Sequence, residues 1–294
     1  MIESRCIRCT LVHATKEIKV ITTMNNEDVS QRSKCLIMNV STGAVAFAVF
    51  LCFSTLHANL WTTKQSMVNT RRFPAVGVVN NILYAIGGDG VTVNEAFDPV
   101  NNSWTAKAPL PTIRYWGCAA GTVAGKIYVI GGATGGFYLD TNEEYDPGGD
   151  SWTSVAVMPT PRCGLAIGVA YDSIYAIGGF NGAPLATNEA YDPVTDTWTT
   201  KTPMPTARSY PAVAVVNNKI YAIGGYNSAM GGFLTTVEEY DPVTDSWQTM
   251  TGMPTARNEH AAATLNGRIY AIGGWDGASD LVVKEEYDPV GNSW

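Results

Sequence analysis

Arg257, Asn258, Glu259 and His260 stand consecutively, placing a cation, an amide, a carboxylate and an imidazole within four residues. An acid and a base held together can remove and return a proton without a metal, which is the chemistry of an epimerase or a lyase. The pairs Glu143-Glu144 and Glu238-Glu239 offer a second chemistry, a carboxylate dyad. Successive residues of an extended chain point to opposite faces, so neither pair can share one site if it lies on a strand. Cys6-Ile-Arg-Cys9 forms a C-x-x-C, but no second Cys or His pair follows at zinc spacing. His260 is the one His of residues 59–294, so a copper site that needs two imidazoles cannot be built there. No Ser-His-Asp set, phosphate loop or zinc motif is found. The sequence therefore leads to no metal and no cofactor.

The elements that carry these residues repeat. Gly-Gly pairs fall at 87–88, 131–132, 178–179, 224–225 and 273–274. An apolar run of β-forming residues precedes each one: ILYAI, KIYVI, SIYAI, KIYAI and RIYAI. An aromatic-Asp-Pro follows each, at Phe97 and at Tyr145, Tyr191, Tyr240 and Tyr287. Six residues past each Asp stands a Trp: 104, 152, 198, 247 and 294. An Arg precedes each pair by 16 or 17 residues: Arg71, Arg114, Arg162, Arg208 and Arg257. A Glu stands three residues before each Asp, at 95, 143, 189, 238 and 285. One Arg and one Glu per repeat predicts an ion pair in each, since guanidinium matches carboxylate bidentately.

Residues 208–253 show how one unit reads. SYPAVAVV is apolar enough for a strand buried on both faces. Asn217-Asn218 suits a two-residue turn with positive φ. KIYAIGG is the second strand, and its glycines end it where a side chain would obstruct the backbone. TVEEYDP is the third, stopped by Pro242, and WQTMTG is the fourth. Four antiparallel strands repeated radially make a β-propeller blade. Helix signals are absent from residues 59–294.

The set Pro-x-x-Arg, apolar strand, Ile-Tyr-Ala-Ile-Gly-Gly, Glu-x-Tyr-Asp-Pro and Trp resembles the Kelch repeat over residues 61–294, in five copies. The resemblance implies an all-β Kelch-type propeller of five four-stranded blades, the first strand of each lining a central channel. Trp61-Thr-Thr-Lys matches Trp198-Thr-Thr-Lys. Residues 61–67 could therefore complete the last blade and close a five-bladed ring; the alternative is a larger ring of which five blades are seen.

Charge and hydropathy divide the chain. Residues 1–58 carry 6 Lys and Arg against 4 Asp and Glu, a net of +2, while residues 59–294 carry 13 against 22, a net of −9. An acidic body disfavours nucleic acid, whose phosphates need a basic footprint. Ala44–Phe53 is an unbroken apolar run of ten with Arg32 and Lys34 upstream, the pattern of an export signal. Residues 1–58 thus read as a leader, cleaved in the favoured reading and a membrane anchor in the other. The propeller, residues 59–294, is expected outside the cytoplasm as a monomer. Cys118 and Cys163 read as small buried hydrophobes.

Positions that repeat are scaffold, and positions that differ carry the function. After the Gly-Gly pairs come Asp89-Gly90, Ala133-Thr134, Phe180-Asn181, Tyr226-Asn227 and Trp275-Asp276. After the Arg come Arg72-Phe73, Tyr115-Trp116, Cys163-Gly164, Ser209-Tyr210 and Asn258-Glu259. Aromatics on variable loops over a rigid scaffold make a binding face. The Kelch resemblance implies that both loci ring one mouth of the channel. It nominates Tyr115, Phe180, Asn181, Ser209, Tyr210, Tyr226, Asn227, Asn258, Trp275 and Asp276, with Arg114, Arg208 and Arg257 beside them. The function read from this is non-enzymatic binding of a protein, peptide or carbohydrate. A metal-free carbohydrate-active enzyme at the channel mouth is the alternative.

Overall fold

The computed structural model describes residues 63–294. The leader with its apolar run and C-x-x-C, and Trp61 itself, lie outside the described residues. The described chain is built from strands, with a single 3-10 turn at Ser228–Met230. No helix among the described residues is long and apolar enough to cross a membrane.

Four blades have four antiparallel strands in sequence order. Blade 1 comprises Ala75–Val79, Ile82–Ile86, Asn94–Asp98 and Ser103–Lys107. Blade 2 comprises Ala119–Val123, Lys126–Ile130, Asn142–Asp146 and Ser151–Val155. Blade 3 comprises Ala166–Ala170, Ser173–Ile177, Asn188–Asp192 and Thr197–Thr200. Blade 4 comprises Ala212–Val216, Lys219–Ile223, Val237–Asp241 and Ser246–Met250. Blade 5 has three strands, Ala261–Leu265, Arg268–Ile272 and Lys284–Tyr287, and an Asp288–Ser293 bridge that begins the fourth. The turn at Asn217 and Asn218 has φ of 51° and 59°, the left-handed conformation that Asn tolerates and that a tight hairpin demands.

Inner strands of successive blades pack side by side. In the inner strand of blade 3, Gly168 leaves room for Ile220 of blade 4, which would stand 2.7 Å from an added Cβ. The second-strand Tyr of blades 1 to 4 meets the third-strand Tyr of the next blade, as in Tyr84–Tyr145 at 5.6 Å and Tyr175–Tyr240 at 5.6 Å. Each fourth-strand Trp donates its indole N–H to a carbonyl of the preceding unit. Trp152 donates to Ala108 at 2.9 Å, Trp198 to Ala156 at 2.8 Å and Trp247 to Thr202 at 2.8 Å. The Trp rings bury apolar area between blades and leave no indole N–H unpaired.

Four apolar clusters join blades 1–2, 2–3, 3–4 and 4–5 in series. Among the described residues no cluster joins blade 5 to blade 1. Ile127, Ile174, Ile220 and Ile269 are sealed, while Leu83, at the same position of blade 1, is half-buried. Tyr270 is the one second-strand Tyr not buried, and it lies 5.5 Å from the Lys284 ammonium. Closure of blade 5 by residues 61–67 is not seen in the described part of that segment. Residues 63–67 are not a strand, and Gln65 lies against blade 1, accepting from Trp104 and donating to Asn102. The Trp place of blade 5 is filled by Trp294, which stacks on Tyr287 at 5.1 Å and donates to Thr251.

Candidate functional site

Beneath the mouth lies a tier of ion pairs. Arg71–Glu95 is 2.8 Å, Arg114–Glu143 2.5 Å and Arg162–Glu189 2.5 Å, and Arg208–Glu238 and Arg257–Glu285 complete the set. Each Arg also donates to backbone carbonyls: Arg208, for instance, donates to Gly224 and Thr236, at the ends of the second and third strands. A Thr hydroxyl of the Arg-bearing loop donates to the same Glu in four blades, as Thr206 does to Glu238 at 2.6 Å. Glu239 points the other way and takes Lys219 and the Tyr221 hydroxyl. The strand alternation read from the Glu-Glu pair holds.

The two variable loci meet above this tier. Antiparallel bridges join Tyr115 to Ala133, Cys163 to Phe180, Ser209 to Tyr226 and Asn258 to Trp275. Next to the first locus the chain turns left-handed in every blade, at Phe73 (φ 54°), Trp116 (48°), Gly164 (58°), Tyr210 (51°) and Glu259 (53°). A bulky residue there is strained by about 1 kcal/mol or more. A chain of backbone bonds links these corners across blades: Gly164 N–H to Gly117, Tyr210 N–H to Gly164, and Glu259 N–H to Tyr210. This belt holds the strained side chains at the mouth.

Blades 2 to 5 together enclose a cavity of about 410 Å³ lined by Trp116, Tyr138, Cys163, Phe180, Ser209, Tyr210, Tyr226, Phe233, Asn258 and Trp275. Seven of the ten are aromatic. Tyr138 meets Phe180 edge-on at 5.9 Å and Tyr226 meets Phe233 at 5.2 Å. Asn258 is 7% exposed, and its side-chain oxygen has no donor. Burial raises the Tyr210 phenol, with Cys163 beside it.

Of the residues nominated from the sequence, Phe180, Ser209, Tyr210, Tyr226, Asn258 and Trp275 line this cavity. Tyr115 does not; its ring lies over Gly90 of blade 1. Asn181 is exposed on its loop. Asn227 is buried and shapes the 3-10 turn, donating to Ala207 and accepting from Ala229. Asp276 accepts from Ala278 and Ser279, two bonds that hold its carboxyl below the usual range. Arg114, Arg208 and Arg257 are fully buried and ion-paired, so their place at the rim is corrected: they support the loops from below.

The Arg257-Glu259-His260 constellation is also corrected. Arg257 is committed to Glu285, and His260 is buried with neither ring nitrogen bonded, while neither lines the cavity. Burial first, then Arg257, lowers the imidazole pKa to about 4. Cys118 and Cys163 are free and buried, and Cys163 stands in the cavity wall. Among the described residues no group of three His, Cys, Asp or Glu could hold a metal.

Sequence reasoning did not nominate Trp116, Tyr138, Cys163 and Phe233 for the site. Tyr138 and Phe233 stand on two-residue hairpins, Ala133–Thr134 with Phe137–Tyr138 and Tyr226–Asn227 with Gly232–Phe233. Their signal was present as Gly-Gly followed by an aromatic inside the variable loops of blades 2 and 4.

A family model described as the Kelch motif matches residues 207–254 and 256–294. One described as the KLHDC2/KLHL20/DRC7 Kelch-repeats domain matches residues 49–225. Kelch-like protein 35 of Homo sapiens is 35% identical over 111 residues, 35% of this chain and 19% of its own length, and that of Mus musculus gives the same figures. The chain thus spans about a fifth of the length of the curated relatives it matches. The solved structure of YjhT superposes with a TM-score of 0.63 at 19% identity, over 72% of this chain and 75% of the other, a likeness of fold.

Proposed function

Since this chain belongs to the Kelch-repeat family, we propose that it is a non-enzymatic interaction propeller whose aromatic mouth binds a peptide segment of a partner protein. The observation that carries this reading is the convergence of seven aromatic side chains from four blades on one cavity, above a tier of ion pairs common to all blades. Buried aromatic anchors dominate protein interfaces. Strain at Trp116 and Tyr210 is the kind retained where a side chain must be presented. A glycan would also stack on these rings, but beyond three phenols, two indoles and the Cys163 thiol the lining offers only Ser209 and Asn258, and no charged group, to meet its many hydroxyls, which favours a peptide.

Export to a compartment outside the cytoplasm belongs to the same proposal and rests on the apolar run 44–53. N-terminal sequencing of secreted material would test it, and an intact N-terminus on soluble intracellular protein would reject it. The binding reading is tested with a displayed peptide library panned on the full chain. Enriched peptides should lose at least tenfold in affinity to Tyr226→Ala and Trp275→Ala, and binding indifferent to both would move the site elsewhere.

A further inference from the structure

Each end of the blade series is shaped for a neighbour. In blades 1 to 4 the third and fifth residues of the inner strand are buried, and the third packs against the next blade in blades 1 to 3. Gly77 and Gly168, for instance, would set a Cβ 2.9 Å from Ile127 and 2.7 Å from Ile220. In blade 5 those places hold Ala263 and Leu265, both exposed, Leu265 at 59%. The second and fourth residues face the previous blade, as Ile167 and Val169 face Gly121. In blade 1 those places hold Val76 and Val78, 49% and 52% exposed. Strand alternation puts the two sets on opposite faces. Blade 5 thus offers the face that accepts a following blade, and blade 1 the face that a blade turns to the one before it. The backbone breaks at the same point. Gly132, Gly179 and Gly225 donate to the carbonyls of Arg162, Arg208 and Arg257 in the next blade. Gly274, at the same place in blade 5, makes no such bond among the described residues.

Gln65 marks what belongs between these faces. Trp152, Trp198, Trp247 and Trp294 each donate to the residue four places after the preceding Trp. The N–H of that residue donates to an Asp or Asn two places before the donor Trp. Gln65 makes both bonds with blade 1, accepting from Trp104 at 2.8 Å and donating to Asn102 at 3.0 Å. It therefore stands where the chain leaves a blade that precedes blade 1. That blade is not blade 5, because Trp294 holds the Trp place of blade 5 and the residue four before Gln65 is Trp61. Met67 fits the same frame. Leu110, Met158, Met204 and Met253 are sealed against the first glycine of the blade they leave, while Met67, at their place, is only half-buried.

A repeat cannot bury its own faces and depends on its neighbours to do so. One blade carries both surfaces that the two ends lack: the second and fourth residues of its inner strand would cover blade 5, and its third and fifth would be covered by blade 1. We propose that the open faces of blades 5 and 1 form a seat for one further blade of this same repeat, a three-stranded antiparallel sheet entering between them, with Gln65 at the point where its outer strand leaves. This inference concerns blades 5 and 1 and is independent of the peptide reading of the mouth.

The test compares the full chain with one that carries a second copy of residues 199–246 after Trp294. That stretch lies between two repeat Trp and holds three inner strands of blade 4. Its closing Trp is omitted because Trp61 already stands four residues before Gln65. Amide hydrogen exchange, read by mass spectrometry, should slow at least tenfold over Ala261–Leu265 and Ala75–Val79 in the lengthened chain. Leu265→Ser should leave exchange in the parent unchanged, since that side chain is exposed, and should abolish the slowing in the lengthened chain. Unchanged exchange at either strand of a folded lengthened chain overturns the proposal. So does exchange in the parent monomer already as slow at both strands as over Ala166–Ala170 of blade 3, because five blades would then close with no insert. That measurement needs no variant to fold. A parent that sediments as multimers of 31.5 kDa with both strands protected would place a second copy in the seat and overturn the single-blade reading.

Discussion

The Tyr210 ring of blade 4 lies over Gly164 of blade 3, 2.9 Å from where a Cβ on that glycine would stand. Both residues are left-handed, at φ 51° and 58°, and the Tyr210 N–H donates to the Gly164 carbonyl at 2.7 Å. The smallest corner of the mouth therefore positions one of its largest aromatics.

Gly164→Ala should displace Tyr210 as well as strain the backbone. Gly125 is the control: its φ is 76° and an added Cβ would meet nothing within 4 Å. Gly125→Ala should cost about 1 kcal/mol from left-handed strain alone. Gly164→Ala should cost more, about 2–3 kcal/mol with the overpacking included. It should also weaken ligand capture at the mouth, while Gly125→Ala leaves capture unchanged. Chemical denaturation and the panned peptides measure both.

Arg208→Met tests whether the buried Arg tier is support or recognition. Removing it leaves Glu238 as an uncompensated buried carboxylate, costing about 3–5 kcal/mol. The double variant Arg208→Met, Glu238→Met should recover part of this. A deficit should remain, because the Gly224 and Thr236 carbonyls lose their donor. Below its melting temperature the double variant should still bind at the mouth. Lost binding by a folded double variant would return Arg208 to the site.

Much of this scaffold was legible in the sequence because it repeats. The Arg–Glu pairing, the opposite facing of Glu238 and Glu239, and the Asn217-Asn218 turn follow from residue types at fixed spacing, with five copies to separate rule from accident. The mouth was legible in half. Phe180, Tyr226 and Trp275 stand at a fixed offset from the Gly-Gly pairs, so position alone found them. Tyr138 and Phe233 are set by hairpins of differing length, and no offset predicts which way such a loop folds back. Arg208 was nominated for the rim by its place beside Ser209, but the pairing with Glu238 that its spacing also predicts is the role it fills, buried beneath the mouth.

His260 should make stability fall in mild acid. Burial holds the folded imidazole at about 4, against 6.5 for a free one. A depressed imidazole means that the unfolded chain takes the proton first. The His260 contribution is therefore constant above pH 6.5, and it declines as pH drops from 6.5 towards 4. That depression corresponds to about 3 kcal/mol across the window. Leu165 occupies the matching place in blade 3. His260→Leu should remove this part of the slope, read as the variant-minus-parent difference in denaturation free energy at pH 7, 6, 5 and 4.5. A difference constant with pH would mean that the imidazole is not held neutral.

Blade 1 lacks a bond that every other blade makes. Tyr145 donates to Asp150 at 2.6 Å, Tyr191 to Asp196 at 2.8 Å, Tyr240 to Asp245 at 2.6 Å and Tyr287 to Asn292 at 2.7 Å. Blade 1 has Phe97 in that place, with Asn102 five residues on, and Phe97 stacks on Trp104 at 5.0 Å as its counterparts do on theirs. The Asn102 side-chain oxygen already accepts from Gln65. An amide oxygen has two lone pairs, and Asn292 uses both, taking the Tyr287 hydroxyl and the Thr251 N–H. Phe97→Tyr should therefore add the missing bond without moving the ring. The expected gain is about 0.5–1.5 kcal/mol, seen as a higher melting temperature. Pairing it with Asn102→Ala should abolish the gain, since the hydroxyl would then have no acceptor. If the single variant is destabilised instead, the blade 1 ring is not seated as its four counterparts are, and the half-buried state of Phe97 reflects looser packing at the end of the series.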